Sequence, residues 1–249
     1  MAATGLSRVE LITQGTEFLT PDAFDRLQDY SARRLSGEPV DNILGWRAFY
    51  GRRFKISHNV LSPRQETEEV TAKALERIAD TPKPAILDLG TGSGAIIITL
   101  LLERLDASAI AADISGGALE IARANAAAFN IGERAEFIQS NWFENIGGHY
   151  DLIISNPPYI DSQAMEALPQ DVSKFDPAIS LHGGADGLDP YRLIAAQAKG
   201  YLKPDGWLVL EIGFDQGMSV PSLLQQNGFK SVELFQDSGG HDRIVTAQI

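Results

Sequence analysis

From residue 85 to residue 249, short apolar runs alternate with segments of helical length and spacing. The runs are AILDL (85–89), AIAADI (109–114), EFIQ (136–139), DLIIS (151–155), WLVLEI (207–212), SVELF (231–235) and RIVTAQI (243–249). Helices are predicted at 95–105, 116–129, 190–202 and 216–227. Strands this apolar are buried on both faces, and parallel neighbours need a crossover of a dozen or more residues, which a helix supplies. The pattern therefore predicts a doubly wound α/β sheet of seven mostly parallel strands. Only QDSGGHD separates the last two strands, which is too short for a helix, so that pair is predicted antiparallel.

The first 84 residues read differently. TPDAFDRLQDYSARRLSG (20–37) predicts a helix with Thr20 as cap, Pro21 in the first turn and Gly37 as stop. Phe24, Leu27, Tyr30 and Leu35 form its apolar stripe. WRAFYGRRFKIS (46–57) predicts a β-hairpin around Gly51. A helix is expected over 66–80, with Val70, Ala74, Leu75 and Ile78 on one face, and DTPKP ends it. About 40 residues precede the hairpin, room for one or two helices. Residues 1–65 are thus read as a short helical segment plus hairpin, and 66–249 as the main domain.

Charge narrows the partners. The net charge is −12, and it is uneven: residues 1–84 hold 12 basic and 12 acidic residues, whereas 85–249 hold 9 and 21. Nucleic-acid binding needs a basic face to replace counterions, so bulk nucleic acid is not expected as a partner. Arg47, Arg52, Arg53 and Lys55 form the one candidate basic patch. Cysteine is absent, which excludes disulfides, thiolate metal sites and cysteine nucleophiles and suits a reducing cytoplasm. No metal site is expected. Neither a secretory leader nor a membrane-spanning apolar run is read.

Three motifs carry chemistry. The first strand runs into Asp88-Leu89-Gly90-Thr91-Gly92-Ser93-Gly94-Ala95 and then a helix. Glycines there allow close backbone approach to a ligand at a helix N-terminus. The spacing suits nicotinamide, flavin and S-adenosylmethionine binders alike. Asp113 ends the second strand, 19 residues after Gly94, where a carboxylate would accept from ribose hydroxyls. The fourth strand ends in Asn156-Pro157-Pro158-Tyr159. The prolines hold the backbone rigid, so the Asn156 side-chain oxygen and the Pro157 carbonyl become two acceptors at fixed spacing. Such a pair matches an –NH2 on a flat conjugated carbon, with Tyr159 packed on its face.

The glycine loop together with Asn156–Tyr159 resembles class I, Rossmann-like S-adenosylmethionine-dependent methyltransferases acting on amide or exocyclic amino nitrogens. Ile43 to Phe54 and Leu61-Ser62-Pro63-Arg64-Gln65-Glu66-Thr67-Glu68 are similar to the hairpin and following signature of release-factor glutamine N5-methyltransferases. So are His182 to Leu188, Leu210-Glu211-Ile212-Gly213 with Gln216-Gly217, and Asp237 to Arg243. The resemblance runs from about residue 40 to the end. It implies that Gly90, Thr91, Gly92, Ser93 and Gly94 cradle the methionine part of S-adenosylmethionine, that Asp113 holds the ribose and that Trp142 lies beside the adenine. It implies that Asn156 touches both cofactor and substrate, and that Asn156, Pro157, Pro158 and Tyr159 grip a glutamine amide. Asn141 stands where the family usually has aspartate.

The implied partner is a peptide chain release factor methylated at its Gly-Gly-Gln glutamine, with the enzyme a cytoplasmic monomer. Two alternatives stay open: the same chemistry on another protein, such as a ribosomal protein, or a DNA or RNA amino-methyltransferase sharing the tetrapeptide. An amide nitrogen is a poor nucleophile, and the tetrapeptide holds no strong base, so positioning and electrostatics are expected to dominate. Glu66, Glu68 and Glu211 are expected to form an acidic rim.

Overall fold

A computed structural model of the protein describes residues 1–13 and 19–249. Helices α1 (Arg8–Thr13), α2 (Pro21–Leu35) and α3 (Val40–Leu44) precede a hairpin of β1 (Trp46–Phe49) and β2 (Arg52–Lys55). Among the described residues, three helices therefore stand where one or two were expected. Thr20 caps α2, its hydroxyl accepting from the Ala23 amide, and Tyr50 and Gly51 turn the hairpin with positive φ, as a tight turn requires. The α2 stripe does not find a core. Among the described residues α2 buries only Ala23, while Phe24, Leu27 and Leu35 stay exposed.

The main sheet contains β3 (Ala85–Leu89), β4 (Ser108–Asp113), β5 (Ala135–Gln139), β6 (Tyr150–Ser155), β7 (Leu202–Glu211), β8 (Lys230–Gln236) and β9 (Asp242–Gln248). Its order is β5-β4-β3-β6-β7-β9-β8, parallel through β7, with β9 antiparallel to both its neighbours. All seven predicted strands are present, and the final pair has the predicted direction. β7 starts earlier than its apolar run, at Leu202. Pairing with β6 jumps from Tyr150↔Leu202 to Leu152↔Trp207, so Lys203 to Gly206 bulge out between the two registers.

Helices α4 (Glu66–Arg77), α5 (Ala95–Glu103) and α6 (Gly116–Ala128) cover one sheet face, and α9 (Asp189–Gln197) and α10 (Ser219–Gln226) the other. The sequence AIIITLLL of α5 is apolar all round, and Ala95 to Leu101 are all buried. Phe49 and Phe54 of the hairpin are fully buried in the same cluster as α4 and α5, which fixes the hairpin to the main domain. Between β6 and α9 lie α7 (Ser162–Glu166) and α8 (Gln170–Phe175), which sequence periodicity did not predict. Helices of five or six residues are too short to show a period.

The chain leaves β3 toward β4 and β5, then returns to the other side of β3 to form β6. That reversal is the topological switch point, where a crevice opens beyond the strand ends.

Candidate active site

The crevice is a cavity of about 350 Å³. Gly90 to Ser93 line it after β3, Asp113 at the end of β4, Trp142 after β5, and Asn156 and Pro158 after β6. Its outer wall is the connection between hairpin and α4, including Val60, Pro63 and Arg64. The two central strands β3 and β6 are buried along their C-terminal halves, so the glycine loop and the tetrapeptide both follow buried backbone.

The loop after β3 is held by its neighbour strand, with the Gly90 and Thr91 amides both donating to the Ala112 carbonyl at 2.8 and 2.9 Å. Gly90 and Gly92 have φ of 74° and 55°, and a Cβ added at either would meet nothing within 4 Å. The loop thus leaves room for a ligand against bare backbone. Gly94 does something else. It precedes α5 with φ of 79°, and an added Cβ would lie 2.9 Å from Ile98 Cδ1 and 3.3 Å from Ala122 Cβ. It lets α5 and α6 pack closely.

Asp113 accepts from the Gly92 amide at 2.8 Å and the Ser115 amide at 2.9 Å. Burial pushes its carboxyl up, against those amide bonds. Each oxygen keeps a lone pair for a further donor. Helix α6 takes its cap from Ser115, whose hydroxyl accepts from the Ala118 amide. Trp142 stands in the left-handed region with φ of 52°. Ser140 folds that turn, donating to the Trp142 carbonyl at 2.8 Å and accepting from the Asn145 amide at 3.0 Å. Asn141 is tied to Glu144 at 2.8 Å.

A second cavity of about 240 Å³ lies beside the first, lined by Tyr159, Glu66, Glu211, Arg64 and Arg243 among others. Asn156 lines both cavities. Tyr159 lines only the second, and Pro157 is buried and lines neither. Glu66 and Glu211 belong to the expected acidic rim, but Glu68 does not, because its carboxylate accepts from the Tyr50 amide at the hairpin turn. Of the candidate basic patch, only Arg53 and Lys55 are exposed. Arg47 pairs with Asp41, Arg52 pairs with Glu103, and Arg53 stacks on Trp46.

Several supporting residues were given no role from sequence. Asn125 of α6 bonds both ways to the backbone of Lys55, at 2.8 and 2.9 Å, and donates to the Ser93 carbonyl at 2.8 Å. It therefore pins the hairpin to the glycine loop. Its signal in the sequence is a polar residue in register with buried Ala118, Ile121 and Ala122. Gln216 braces the tetrapeptide, donating to the carbonyls of Tyr159 and Gly187. Asp237 accepts from the Gly239 and His241 amides and from Arg243, while Arg243 donates to the Ile212 carbonyl, so the Asp237–Arg243 segment holds Arg243 beside the second cavity.

Asp88, at the base of the loop, is fully buried. Thr91 donates to its Oδ2 at 2.7 Å, while Oδ1 has no partner. Burial pushes its carboxyl up to about 7, and the Thr91 hydroxyl opposes this only partly. A folded pKa above the unfolded one gives stability that is complete at low pH and lost as pH rises through the folded value. Between about pH 4 and 7 Asp88 should cost up to about 1.4 kcal/mol per pH unit. Urea unfolding at about pH 5 and pH 7 should show Asp88→Asn losing about 1–3 kcal/mol less than wild type across that interval. Equal losses would mean that Asp88 is already charged when buried.

The chain is similar to known proteins along most of its length. The methyltransferase small domain family model matches residues 52–172, and the PrmC N-terminal domain model matches residues 1–45. The chain is 42% identical over 247 residues to the release factor glutamine methyltransferase of Agrobacterium fabrum, covering 98% of this chain and 86% of that one. It is 44% identical over 242 residues to the protein of the same name from Neisseria gonorrhoeae, covering 96% and 87%. In fold it is similar to a methyltransferase from Pyrococcus furiosus, with a TM-score of 0.57, 16% identity, and coverage of 89% and 98%. Among the described residues no helix is long and apolar enough to cross a membrane. With two such relatives matched from the N-terminal helices through the final strands, the chain belongs to the release factor glutamine methyltransferase family.

Proposed function

We propose that this protein transfers the methyl group of S-adenosylmethionine to the side-chain amide nitrogen (N5) of a protein glutamine, that of the Gly-Gly-Gln sequence of a peptide chain release factor. The observation that carries the reading is the position of Asn156 on the wall common to two adjoining cavities, one lined by the glycine loop and one by Tyr159, Glu66 and Glu211. A cofactor in the first and an amide side chain in the second would meet at that residue. The bare backbone at Gly90 and Gly92 and the half-buried carboxylate of Asp113 suit a ligand bearing a ribose and an amino-acid tail.

S-adenosylmethionine, when bound, supplies an activated methyl group and its positive charge. In this reading Gly90 to Gly94 hold its methionine part, Asp113 its ribose and Trp142 its adenine. The chain's own residues do the rest. Asn156 Oδ1 and the Pro157 carbonyl accept the two N–H bonds of the substrate amide and so turn its nitrogen. Holding both N–H bonds favours the loss of planarity that frees the lone pair, an interaction made mainly in the transition state. Pro157 and Pro158 keep the two acceptors in register without reorganisation. Tyr159 closes the second cavity beside the amide plane.

The direct test is incubation with labelled S-adenosylmethionine and purified release factor, with mass spectrometry locating the methyl group. Methylation at the Gly-Gly-Gln glutamine is expected. A methyl group found only on another protein's glutamine, or only on DNA, would reject the substrate. The cofactor part has its own test. Calorimetry should show S-adenosylmethionine binding and no NAD binding. Asp113→Ala should weaken S-adenosylmethionine binding by roughly 1.5–3 kcal/mol, about tenfold to a hundredfold. An unchanged dissociation constant would remove Asp113 from the site.

A further inference from the structure

A hydrogen-bond chain runs from Asn156 along the cavity walls, through Thr67, which lines the first cavity, to Glu211, which lines the second. Asn156 Nδ2 donates to Thr67 Oγ1 at 3.3 Å, and Thr67 Oγ1 donates to Glu211 Oε2 at 2.7 Å. Thr67 is 3% exposed and Glu211 2%. Thr67 lies in the first turn of α4, and Glu211 is the last residue of β7. A carboxylate only accepts, so the one hydroxyl proton of Thr67 is committed to Glu211. The Thr67 oxygen can then offer Asn156 only a lone pair, and it takes the NH2 end of the carboxamide. The Oδ1 end accepts no hydrogen bond from any described residue and is left for a ligand. The two ends of a carboxamide are nearly the same size, so packing cannot tell them apart; a directed chain can.

On the reading that the substrate is a glutamine amide, we infer that Thr67 and Glu211 are positioning residues that hold Asn156 with its oxygen toward the substrate and so set the site to receive an N–H donor. Neither residue needs to touch the reacting atoms. Reversal of the carboxamide would place NH2 against NH2, two donors facing each other.

The direction of the chain depends on the charge of Glu211. Burial pushes its carboxyl up to about 7; the Thr67 hydroxyl, Arg243 on β9 and the side-chain amide of Asn156 pull it down, and Glu66 at the start of α4 pushes it up. Tyr159 and Tyr191 also face this carboxyl. The Tyr191 hydroxyl donates to the Glu211 main-chain carbonyl at 2.9 Å, not to the side chain. Once protonated, Glu211 can donate to Thr67, whose hydroxyl is then free to turn to Asn156 and take up its oxygen. Activity is therefore present with Glu211 ionised and is lost as pH falls through its pKa.

The experiment compares wild type, Thr67→Ser, Thr67→Val and Glu211→Gln, with kcat measured on release factor at saturating cofactor between about pH 5.5 and 8.5. Thr67→Ser keeps the hydroxyl and should stay within about threefold of wild type. Thr67→Val has the same shape without the hydroxyl and should lose about tenfold or more in kcat, with the cofactor dissociation constant within about twofold. Glu211→Gln should lose the acid limb that wild type shows. Wild-type kcat in Thr67→Val, or an acid limb near 7 that survives Glu211→Gln, overturns the inference. If Glu211→Gln fails to fold, the two Thr67 variants decide alone. A second readout does not need turnover. The 15N-labelled side-chain amide of Asn156 should titrate with Glu211 in wild type and stop doing so in Thr67→Val. That titration in an enzyme that methylates no glutamine would reject the substrate reading and keep the positioning chain; its absence in an active enzyme rejects the chain.

Discussion

Asn156→Ala is expected to lower kcat by on the order of 10²–10³, the usual cost of removing one preorganised polar partner of a transition state. The loss falls on kcat because the oxygen of Asn156 acts most strongly when the amide leaves planarity, a change absent from the ground state. The fold should survive. Asn156 is only half-buried, and the backbone around it is held by Pro157, Pro158 and the Gln216 bonds to the Tyr159 and Gly187 carbonyls. Measurements need saturating S-adenosylmethionine, since Asn156 also lines the glycine-lined cavity and its loss can weaken cofactor binding. Circular dichroism and the thermal midpoint should match wild type within a few degrees. A variant that folds and keeps near-full turnover on release factor would show that the tetrapeptide does not orient the substrate.

Gly183→Ala should be almost as damaging, although Gly183 lines neither cavity. The segment Leu181 to Gly183 runs beside the end of the tetrapeptide, with the Ile160 amide donating to the Leu181 carbonyl and the Gly183 amide to the Ile160 carbonyl. A Cβ on Gly183 would sit 2.7 Å from the Pro158 carbonyl oxygen, 2.8 Å from that of Gly187 and 2.9 Å from Tyr159 Cα. All three are backbone atoms with no rotamer to escape into, so Pro158 and Tyr159 must shift. A displacement approaching 1 Å at a positioned site can cost about 10²-fold in rate. Overpacking of this kind also costs typically 1–3 kcal/mol of stability. The expected result is a folded protein with a lower thermal midpoint and kcat reduced by about 10². Normal kcat would mean that the tetrapeptide tolerates displacement, which would undercut catalysis by positioning.

Most of the sheet was legible because its signals are local. Strand length, the helices between strands and the seven residues before the run RIVTAQI decide parallel or antiparallel pairing without any knowledge of tertiary contacts. The hairpin was legible for the same reason, since Gly51 supplies a positive φ in the turn. The α2 stripe had the right spacing and the wrong fate. Periodicity states which residues share a face, but not whether a partner covers that face, and Phe24, Leu27 and Leu35 remain exposed. Helices α7 and α8 were silent because one or two turns carry no measurable period.

The same division separates the parts of the site. By itself the sequence determined the glycine loop, Asp113 and the Asn156–Tyr159 tetrapeptide, because each is contiguous and its chemistry depends on near neighbours. It also limited the charge chemistry: without cysteine, and with acidity concentrated beyond residue 85, carboxylates and amides are left to do most of the polar work. Only the tertiary structure decided which of these residues share a wall, that Gly94 serves helix packing, and that Glu68 turns away to the hairpin. It alone brought Thr67 to Glu211 across 144 residues of chain and Asn125 to Lys55 across 70. The physical reason is the direction of hydrogen bonds. A motif can name a carboxamide as an acceptor, but which of its ends faces the ligand depends on where its partners send their protons, and those partners meet only when the sheet and helices have packed.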